Sequence, residues 1–199
     1  MNYLAHAYLS FGDPEVLAGN LISDFIKGKK KYDYPAGIQK GIALHRAIDT
    51  YTDDHPATKE AKEILRPVYR LYSGALVDVL YDHFLATDVN EFTKESLFDF
   101  SQQVYASIDR QIQWLPERFT KMFPYMKTQN WLFNYHTMWG TEKSLEGVVR
   151  RSRYLTESGA AYHLFEQHYQ LFSDCYRQFW KDLLPFARQQ YEILRANNL

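Results

Sequence analysis

The stretch AAYHLFEQHYQLFSDCYRQFWKDLLPFARQQYEILRA, residues 160–196, decides the fold class. Its apolar side chains recur at helical spacing, and Leu164, Leu171 and Phe179 lie near one stripe of a helix surface. The spacing predicts one long amphipathic helix, or two helices that meet at Pro185. The C-terminal part of the chain is therefore expected to be helical.

Upstream of this stretch the periodicity is helical nearly everywhere. The alternation of Val, Ile and Thr that is typical of strands is absent, as are Asn-Gly and Asp-Gly hairpin turns. Asp13 is expected to cap a helix that begins at Pro14. The sequence predicts an all-α fold, a single domain over residues 1–199 built as a bundle of about seven to nine helices.

Helix boundaries follow from the positions of Pro, Gly and capping residues. Thr128 and Thr141 are expected to cap two helices that precede the C-terminal stretch. The other expected helices cover residues 2–10, 14–27, 35–54, 57–67, 75–86 and 93–114.

Composition and charge exclude several classes of protein. The formal net charge of -1 argues against general nucleic-acid binding. Cys175 is the only cysteine, so an internal disulfide or a thiolate zinc cage is excluded and a reducing compartment is expected. We find neither a secretory signal pattern nor an apolar run of membrane-spanning length. A cytoplasmic protein with no membrane partner is the expectation.

Polar side chains interrupt the otherwise apolar helices of the first half of the chain. Pairs of residues four apart project from one face of a helix. Three such pairs occur here: Asn20 and Asp24, His45 and Asp49, and Asp78 and Asp82. Burying such groups without partners is costly, and a divalent metal held between facing helices removes that cost.

We therefore hypothesise a metal site whose ligands are His6, Asp24, His45 and Asp82. Taken singly, each ligand also has an ordinary explanation, such as a hydrogen-bonded core histidine or a surface carboxylate. The hypothesis rests on their occurrence together. Other catalytic patterns, including a P-loop, a G-x-S-x-G elbow and H-E-x-x-H, are absent from the sequence.

Five motifs occur in a fixed order along the chain: NYLAH (2–6), GNLISDF (19–25), GIALHRAID (41–49), TD (52–53) and YDHFL (81–85). Together they resemble the corresponding motifs of the acyl carrier protein phosphodiesterases. The resemblance covers nearly the whole chain and is densest through about residue 88. That family is a non-standard branch of the HD-type metal phosphohydrolases, which implies an HD-domain-like fold. The chain has no His-Asp dipeptide; the reversed order occurs at Asp54-His55 and Asp82-His83.

The resemblance implies an enzyme that hydrolyses the phosphodiester between 4'-phosphopantetheine and a serine of holo-acyl carrier protein. It also implies manganese as the ion, with magnesium as the alternative. On this basis Asp49 or Asp53 is expected to orient the attacking water or accept its proton, and His83 to protonate the leaving oxygen. Arg46 is expected to bind a phosphoryl oxygen, and Asn20 to orient a ligand.

Acyl carrier proteins are acidic, so the resemblance also implies a basic docking surface. One candidate is the basic loop that follows the helix carrying Asp24, with Lys29, Lys30 and Lys31. The other is the cluster of Arg150, Arg151 and Arg153. The alternative is that both clusters are solvated helix ends.

Two other functions remain open from the sequence. The same site in an HD-like scaffold would also suit a nucleotide or another small phosphate ester. A non-catalytic helical module that binds a carrier protein would carry the same polar residues as structural hydrogen-bond networks. The sequence does not indicate an oligomeric state.

Overall fold

The protein is entirely helical in the part of the chain that the computed structural model describes, residues 2–152, 155 and 159–196. The all-α prediction is confirmed. Within those residues there are eleven α-helices: α1 (Tyr3–Tyr8), α2 (Pro14–Ile22), α3 (Ala36–Asp54), α4 (Pro56–Tyr69), α5 (Ser73–Thr87), α6 (Lys94–Asp109), α7 (Glu117–Thr128), α8 (Trp131–Asn134), α9 (Met138–Arg151), α10 (Gly159–Gln167) and α11 (Tyr169–Ala196).

Helix starts follow the capping chemistry of the sequence. The Asp13 carboxylate accepts hydrogen bonds from the backbone N–H groups of Glu15 and Val16, which fixes the start of α2. Thr93 caps α6 in a reciprocal capping box with Ser96. Both caps were predicted, because such contacts are local in sequence.

Two predicted caps and one predicted break are wrong. Thr128 is the last residue of α7, and Thr141 lies buried inside α9. The N-cap of α9 is Thr137, whose side chain accepts a hydrogen bond from the Gly140 N–H. Pro185 lies within α11, and the C-terminal stretch divides instead at His168, between α10 and α11. This division and the short α8 raise the number of helices above seven to nine.

Helix α2 ends earlier than predicted. It stops at Ile22 and tightens into a 3-10 turn over Ser23–Phe25, so Asp24 lies on that turn rather than on the helix. A second 3-10 segment, Gly28–Asp33, carries the lysines of the basic loop. The last four carbonyl groups of an α-helix lack intrahelical partners, so the C-terminus of α2 offers free acceptors to its neighbours.

Helices α2 and α3 pack in close backbone contact. A Cβ atom on Gly19 would overlap the carbonyl oxygen of Ile38, and one on Gly41 would overlap that of Val16. Only glycine at these two positions lets the helices approach so closely. This contact places the C-terminal turn of α2 against the middle of α3, where the polar pairs lie.

Helices α1, α4, α6 and α11 contact this pair. Helix α1 packs against α2 and α5, and α11 packs along α3 and α4. Their shared core is dense in aromatic rings; Tyr81, for example, stacks on Phe179 with centroids 5.0 Å apart. We find no helix among the described residues whose length and apolar character would let it span a bilayer.

Candidate metal centre

Two histidines from different helices meet at the contact of α1, α2 and α3. The rings of His6 and His45 stack with centroids 4.0 Å apart and planes 17° from parallel. The Asp49 carboxylate lies beside both rings: Oδ1 is 3.2 Å from His6 Nε2 and Oδ2 is 3.0 Å from His45 Nε2. Both Nε2 atoms therefore face one acidic group.

Asn20 orients both rings. Its side-chain Oδ1 lies 2.8 Å from His6 Nδ1, and its backbone carbonyl oxygen lies 2.7 Å from His45 Nδ1. Both contacts are to acceptors, so each Nδ1 carries the proton and donates it. The Asn20 Nδ2 group donates in turn to the His6 carbonyl and to Ser10 Oγ, which fixes the amide orientation. With each Nδ1 bound in this way, both Nε2 atoms are directed at the same point.

The arrangement fits a divalent metal. Ligand atoms of His6, His45 and Asp49 all lie within 4.8 Å of one another. His6 Nε2 is buried, and the group 3.2 Å from it is the Asp49 carboxylate, which has no proton to donate to it. A buried ring nitrogen in this position is stabilised by coordination to a cation, and imidazole with carboxylate is a donor set used by divalent transition metals.

Asp24 adds a second carboxylate on the solvent side of the cluster. Its Oδ1 lies 3.2 Å from His45 Nε2, and its side chain is 78% exposed against 6% for His45. The 3-10 turn over Ser23–Phe25 places it there. Asp24 is therefore close enough to be a further ligand, while one side of the cluster remains open to solvent.

Protonation of the two histidines differs strongly. Burial and the neighbouring His45 charge lower the pKa of His6 to about 4. Burial also lowers the pKa of His45, but hydrogen bonds to Asp24 and Asp49 outweigh it and raise the pKa to about 9. The hydrogen bond to His45 lowers the pKa of Asp24. The pKa of Asp49 is lowered as well, despite the burial of this carboxyl. The cluster holds two carboxylates and one protonated imidazole at neutral pH.

The cluster lies between a cleft and a shallow depression. The cleft, of about 720 Å³, is lined by His6, Asn20, Asp24 and His45 and extends toward α7–α9. The depression, of about 480 Å³, also includes Asp24 and His45, together with Asp49. A bound phosphate ester can therefore reach the cluster with substituents on both sides.

Asp82 does not join the cluster, and we withdraw it from the set of ligands. Its Oδ2 accepts a hydrogen bond from the Leu4 N–H at 2.7 Å, and its Oδ1 accepts one from the Ala5 N–H at 3.1 Å. These are unsatisfied donors of the first turn of α1. Burial raises the pKa of Asp82 to about 7, although these bonds oppose the shift. Asp82 therefore caps α1, the helix that carries His6.

His83 does not join the cluster, because both of its ring nitrogens contact other groups. Its Nδ1 lies 2.8 Å from the Tyr135 carbonyl oxygen and its Nε2 lies 3.0 Å from Tyr169 Oη. The ring packs edge-on against Phe165 with centroids 5.2 Å apart. Burial lowers the pKa of His83. This histidine belongs to the packing between α5 and α11.

The other two predicted catalytic residues, Arg46 and Asp53, line the depression. Arg46 is exposed, and its guanidinium donates to the Ile26 carbonyl at 3.2 Å, which leaves other N–H groups for a ligand. Asp53 is held by Lys62, with Oδ1 and Nζ 2.6 Å apart. Arg46 is thus well placed to meet an anion, whereas Asp53 is engaged in an ion pair.

Comparison with known proteins identifies the family of the chain. The family model described as acyl carrier protein phosphodiesterase matches residues 1–183. The chain belongs to this family.

Individual relatives of the acyl carrier protein phosphodiesterase family match along almost their whole length. The protein of that name from Yersinia pestis is 32% identical over 96% of this chain and 99% of its own. Those from Photorhabdus laumondii and Enterobacter sp. are each 30% identical over 96% of this chain, and cover 96% and 99% of their own length. No solved structure matches the chain. The resemblance inferred from the five motifs is confirmed.

The two basic clusters predicted to dock a carrier protein lie in different parts of this phosphodiesterase-family protein. Lys29 and Lys30 are exposed and Lys31 is half-buried on the segment Gly28–Asp33. Arg150 and Arg151, at the end of α9, are exposed side chains that line the cleft. Arg153 lies outside the described residues. Docking of a carrier protein by either cluster stays a prediction.

Sequence reasoning missed Asp78 as a site residue of this phosphodiesterase-family protein. Asp78 is half-buried in the wall of the cleft that holds His6 and His45. Burial raises the pKa of its carboxyl. The four-residue spacing of Asp78 and Asp82 was noticed, but the spacing alone does not show which of the two faces the cleft. Arg118, also in the cleft wall, had no signal in the sequence.

Proposed function

We propose that this protein hydrolyses the phosphodiester between 4'-phosphopantetheine and the serine of holo-acyl carrier protein. The observation that carries the proposal is the cluster of His6, His45 and Asp49 between the cleft and the depression, in a chain of the acyl carrier protein phosphodiesterase family. The products are apo-acyl carrier protein and 4'-phosphopantetheine.

The proposed metal ligands are His6, His45 and Asp49, with Asp24 on the solvent side. We propose manganese as the ion, with magnesium as the alternative. A divalent cation held there would lower the pKa of water and offset the charge of the phosphoryl group. Asn20 keeps both imidazoles in the tautomer that presents Nε2.

The chain's own groups then divide the remaining work. Arg46 lines the open depression and binds a non-bridging phosphoryl oxygen with its free N–H groups. Asp78 lines the cleft, and burial raises the pKa of its carboxyl, so we assign to it the donation of a proton to the serine oxygen. Asp78 thereby takes the role first assigned to His83.

The reaction balances with water as the second substrate. The bond between phosphorus and the serine oxygen breaks, and a new bond forms between phosphorus and the oxygen of water. One proton goes to the serine oxygen, which restores its hydroxyl, and the phosphopantetheine leaves as a monoester. No redox partner is needed.

The test is the mass of holo-acyl carrier protein after incubation with this protein and manganese. We expect a loss equal to the phosphopantetheine group, blocked by a chelator. The variant His45→Ala should not produce the loss, whereas Asn90→Ala, an exposed loop residue, should behave like the wild type. An unchanged mass with folded, manganese-loaded wild-type protein would refute the proposed substrate.

A further inference from the structure

A second cavity continues from the cleft, away from the metal cluster. This distal groove has a volume of about 460 Å³ and lies against α8 and α9. It shares six lining residues with the cleft: Asn2, Tyr3, Gln129, Trp131, Arg150 and Arg151. The two cavities therefore form one continuous channel along the surface, with His6 and His45 at one end and Trp139 and Lys143 at the other.

The walls of the distal groove are aromatic and basic. Trp139 is 59% exposed, although a large apolar side chain is more stable when buried. Trp131 is half-buried, and its indole N–H donates to Gln129 Oε1 at 2.9 Å, which holds the ring at the junction of the two cavities. Exposed aromatic rings lining a concave surface are typical of ligand sites.

The Arg151 side chain lies against α9 at Gly147, where no side chain projects from the helix. A Cβ on Gly147 would come within 3.2 Å of the Arg151 Nη1 atom, so the glycine leaves room for the guanidinium beside the helix. Tyr3 lies between the two ends of the channel, within electrostatic reach of Asp24 on one side and Arg151 on the other. The groove thus offers N–H donors to carbonyl groups of a neutral ligand next to flat aromatic surfaces.

The two cavities have similar volumes, so their shape decides which part of the substrate enters each one. A phosphodiester at the cluster carries two substituents, one a folded protein and the other a thin flexible arm with two amide groups. A groove of about 460 Å³ has the size of a small-molecule site and cannot admit a folded protein. The shallow depression beside Arg46 is open and can face a protein surface.

We propose that the distal groove binds the pantetheine arm of the substrate, while the folded carrier protein stays outside the groove and faces the open depression. This inference rests on the proposed function and adds the direction in which the substrate lies. Trp131 and Trp139 stack on the amide groups of the arm, and Arg151 donates to their carbonyl oxygens. The released 4'-phosphopantetheine occupies the same groove.

The experiment measures binding and turnover in parallel. Calorimetric titration with pantetheine and with 4'-phosphopantetheine is carried out on the wild type and on Trp139→Ala and Arg151→Ala. The matched controls are Ile193→Ala and Arg110→Ala, which replace exposed residues outside both cavities. Steady-state cleavage of holo-acyl carrier protein by the same five proteins is followed by mass.

We expect each groove variant to weaken pantetheine binding by about tenfold and to raise KM by a similar factor. Inhibition by inorganic phosphate should stay the same, because phosphate contacts the cluster and not the groove. Pantetheine affinity unchanged in both variants would overturn the inference, even with an active wild type. In another outcome, the wild type binds pantetheine and the groove variants weaken that binding, but the wild type does not cleave holo-acyl carrier protein. That result would refute the proposed function and retain the groove as a pantetheine site.

Discussion

The imidazoles of His6 and His45 stack at a centroid distance of 4.0 Å, and each donates its Nδ1 proton to Asn20. Two rings at this distance repel each other when both are charged. Burial and this contact together lower the pKa of His6, whereas the carboxylates of Asp24 and Asp49 beside Nε2 raise the pKa of His45. A divalent cation held by His6, His45 and Asp49 would replace the proton that His45 otherwise carries.

Replacing Asn20 tests whether it orients the metal ligands. Asn20→Ala removes the acceptor for His6 Nδ1 and retains the backbone carbonyl that holds His45. We expect manganese affinity to fall by about 10- to 100-fold, as found for residues that orient metal-bound histidines. Calorimetry or the manganese paramagnetic resonance signal measures this affinity. Equal affinity in Asn20→Ala and in the exposed control Asn90→Ala would contradict this role.

Asp82 and Asp49 should give opposite results when replaced by alanine. Asp82→Ala leaves two buried N–H groups of α1 without acceptors and should lower the free energy of unfolding by about 1–3 kcal/mol. Bound manganese per folded molecule should be retained. Asp49→Ala should abolish manganese binding with a smaller loss of stability. Urea denaturation and metal analysis separate the two, and a stable, metal-free Asp82→Ala protein would restore Asp82 as a ligand.

Asp78→Asn should impair turnover without affecting the metal. The amide is similar in size but cannot donate the proton that the serine oxygen requires. We expect kcat to fall by about 100-fold or more, with manganese affinity within twofold of the wild type. Asp99→Asn, at an exposed position on α6, is the control. A normal kcat in Asp78→Asn would assign the proton transfer to another group.

Metal affinity should depend on pH through His45. The pKa of His45 in the metal-free protein is about 9, so below that pH an incoming ion must displace one proton. His6, with a pKa of about 4, is already neutral. The manganese association constant should therefore rise about tenfold per pH unit between pH 6.5 and 8.5 and level off above 9. Titrations in buffers of different ionisation enthalpy count the released proton, and release of none would contradict the assignment.

Charge reversal of the basic loop tests carrier-protein docking. Glutamate at Lys29, Lys30 and Lys31 should raise KM for the acidic substrate, most strongly at low ionic strength, and leave kcat nearly unchanged. A control variant reverses three exposed basic residues elsewhere: Lys94, Arg110 and Lys181. Kinetics equal to the wild type at low salt would exclude the loop as the docking surface.

Local patterns predicted most of the helices. Asp13 and Thr93 cap helices through contacts within three residues, so the sequence was enough to place α2 and α6. The early end of α2 was missed because its C-terminal carbonyls are satisfied by a histidine 25 residues away. The division at His168 likewise had no glycine or proline to mark it.

The candidate site was predicted only in part for a similar reason. Spacing along one helix tells which residues share a face, and this was sufficient to select His45 with Asp49. Spacing does not show which residues of neighbouring helices that face contacts. Helix α5 is buried on nearly all sides, so Asp78, Asp82 and His83 each face a different neighbour. Assigning their roles required the packing of α1, α9 and α11 around that helix.

The close contact at Gly19 and Gly41 has a consequence for how the chain reaches its native alignment. Sliding α2 along α3 by one turn, about 5.4 Å, would carry the Asn20 carbonyl out of reach of His45. The misaligned pair would still bury apolar surface, but the imidazoles of His6 and His45 and the side-chain amide of Asn20 would lose their hydrogen-bond partners. The polar groups of the site thus specify the register of the two helices, which apolar packing alone does not do.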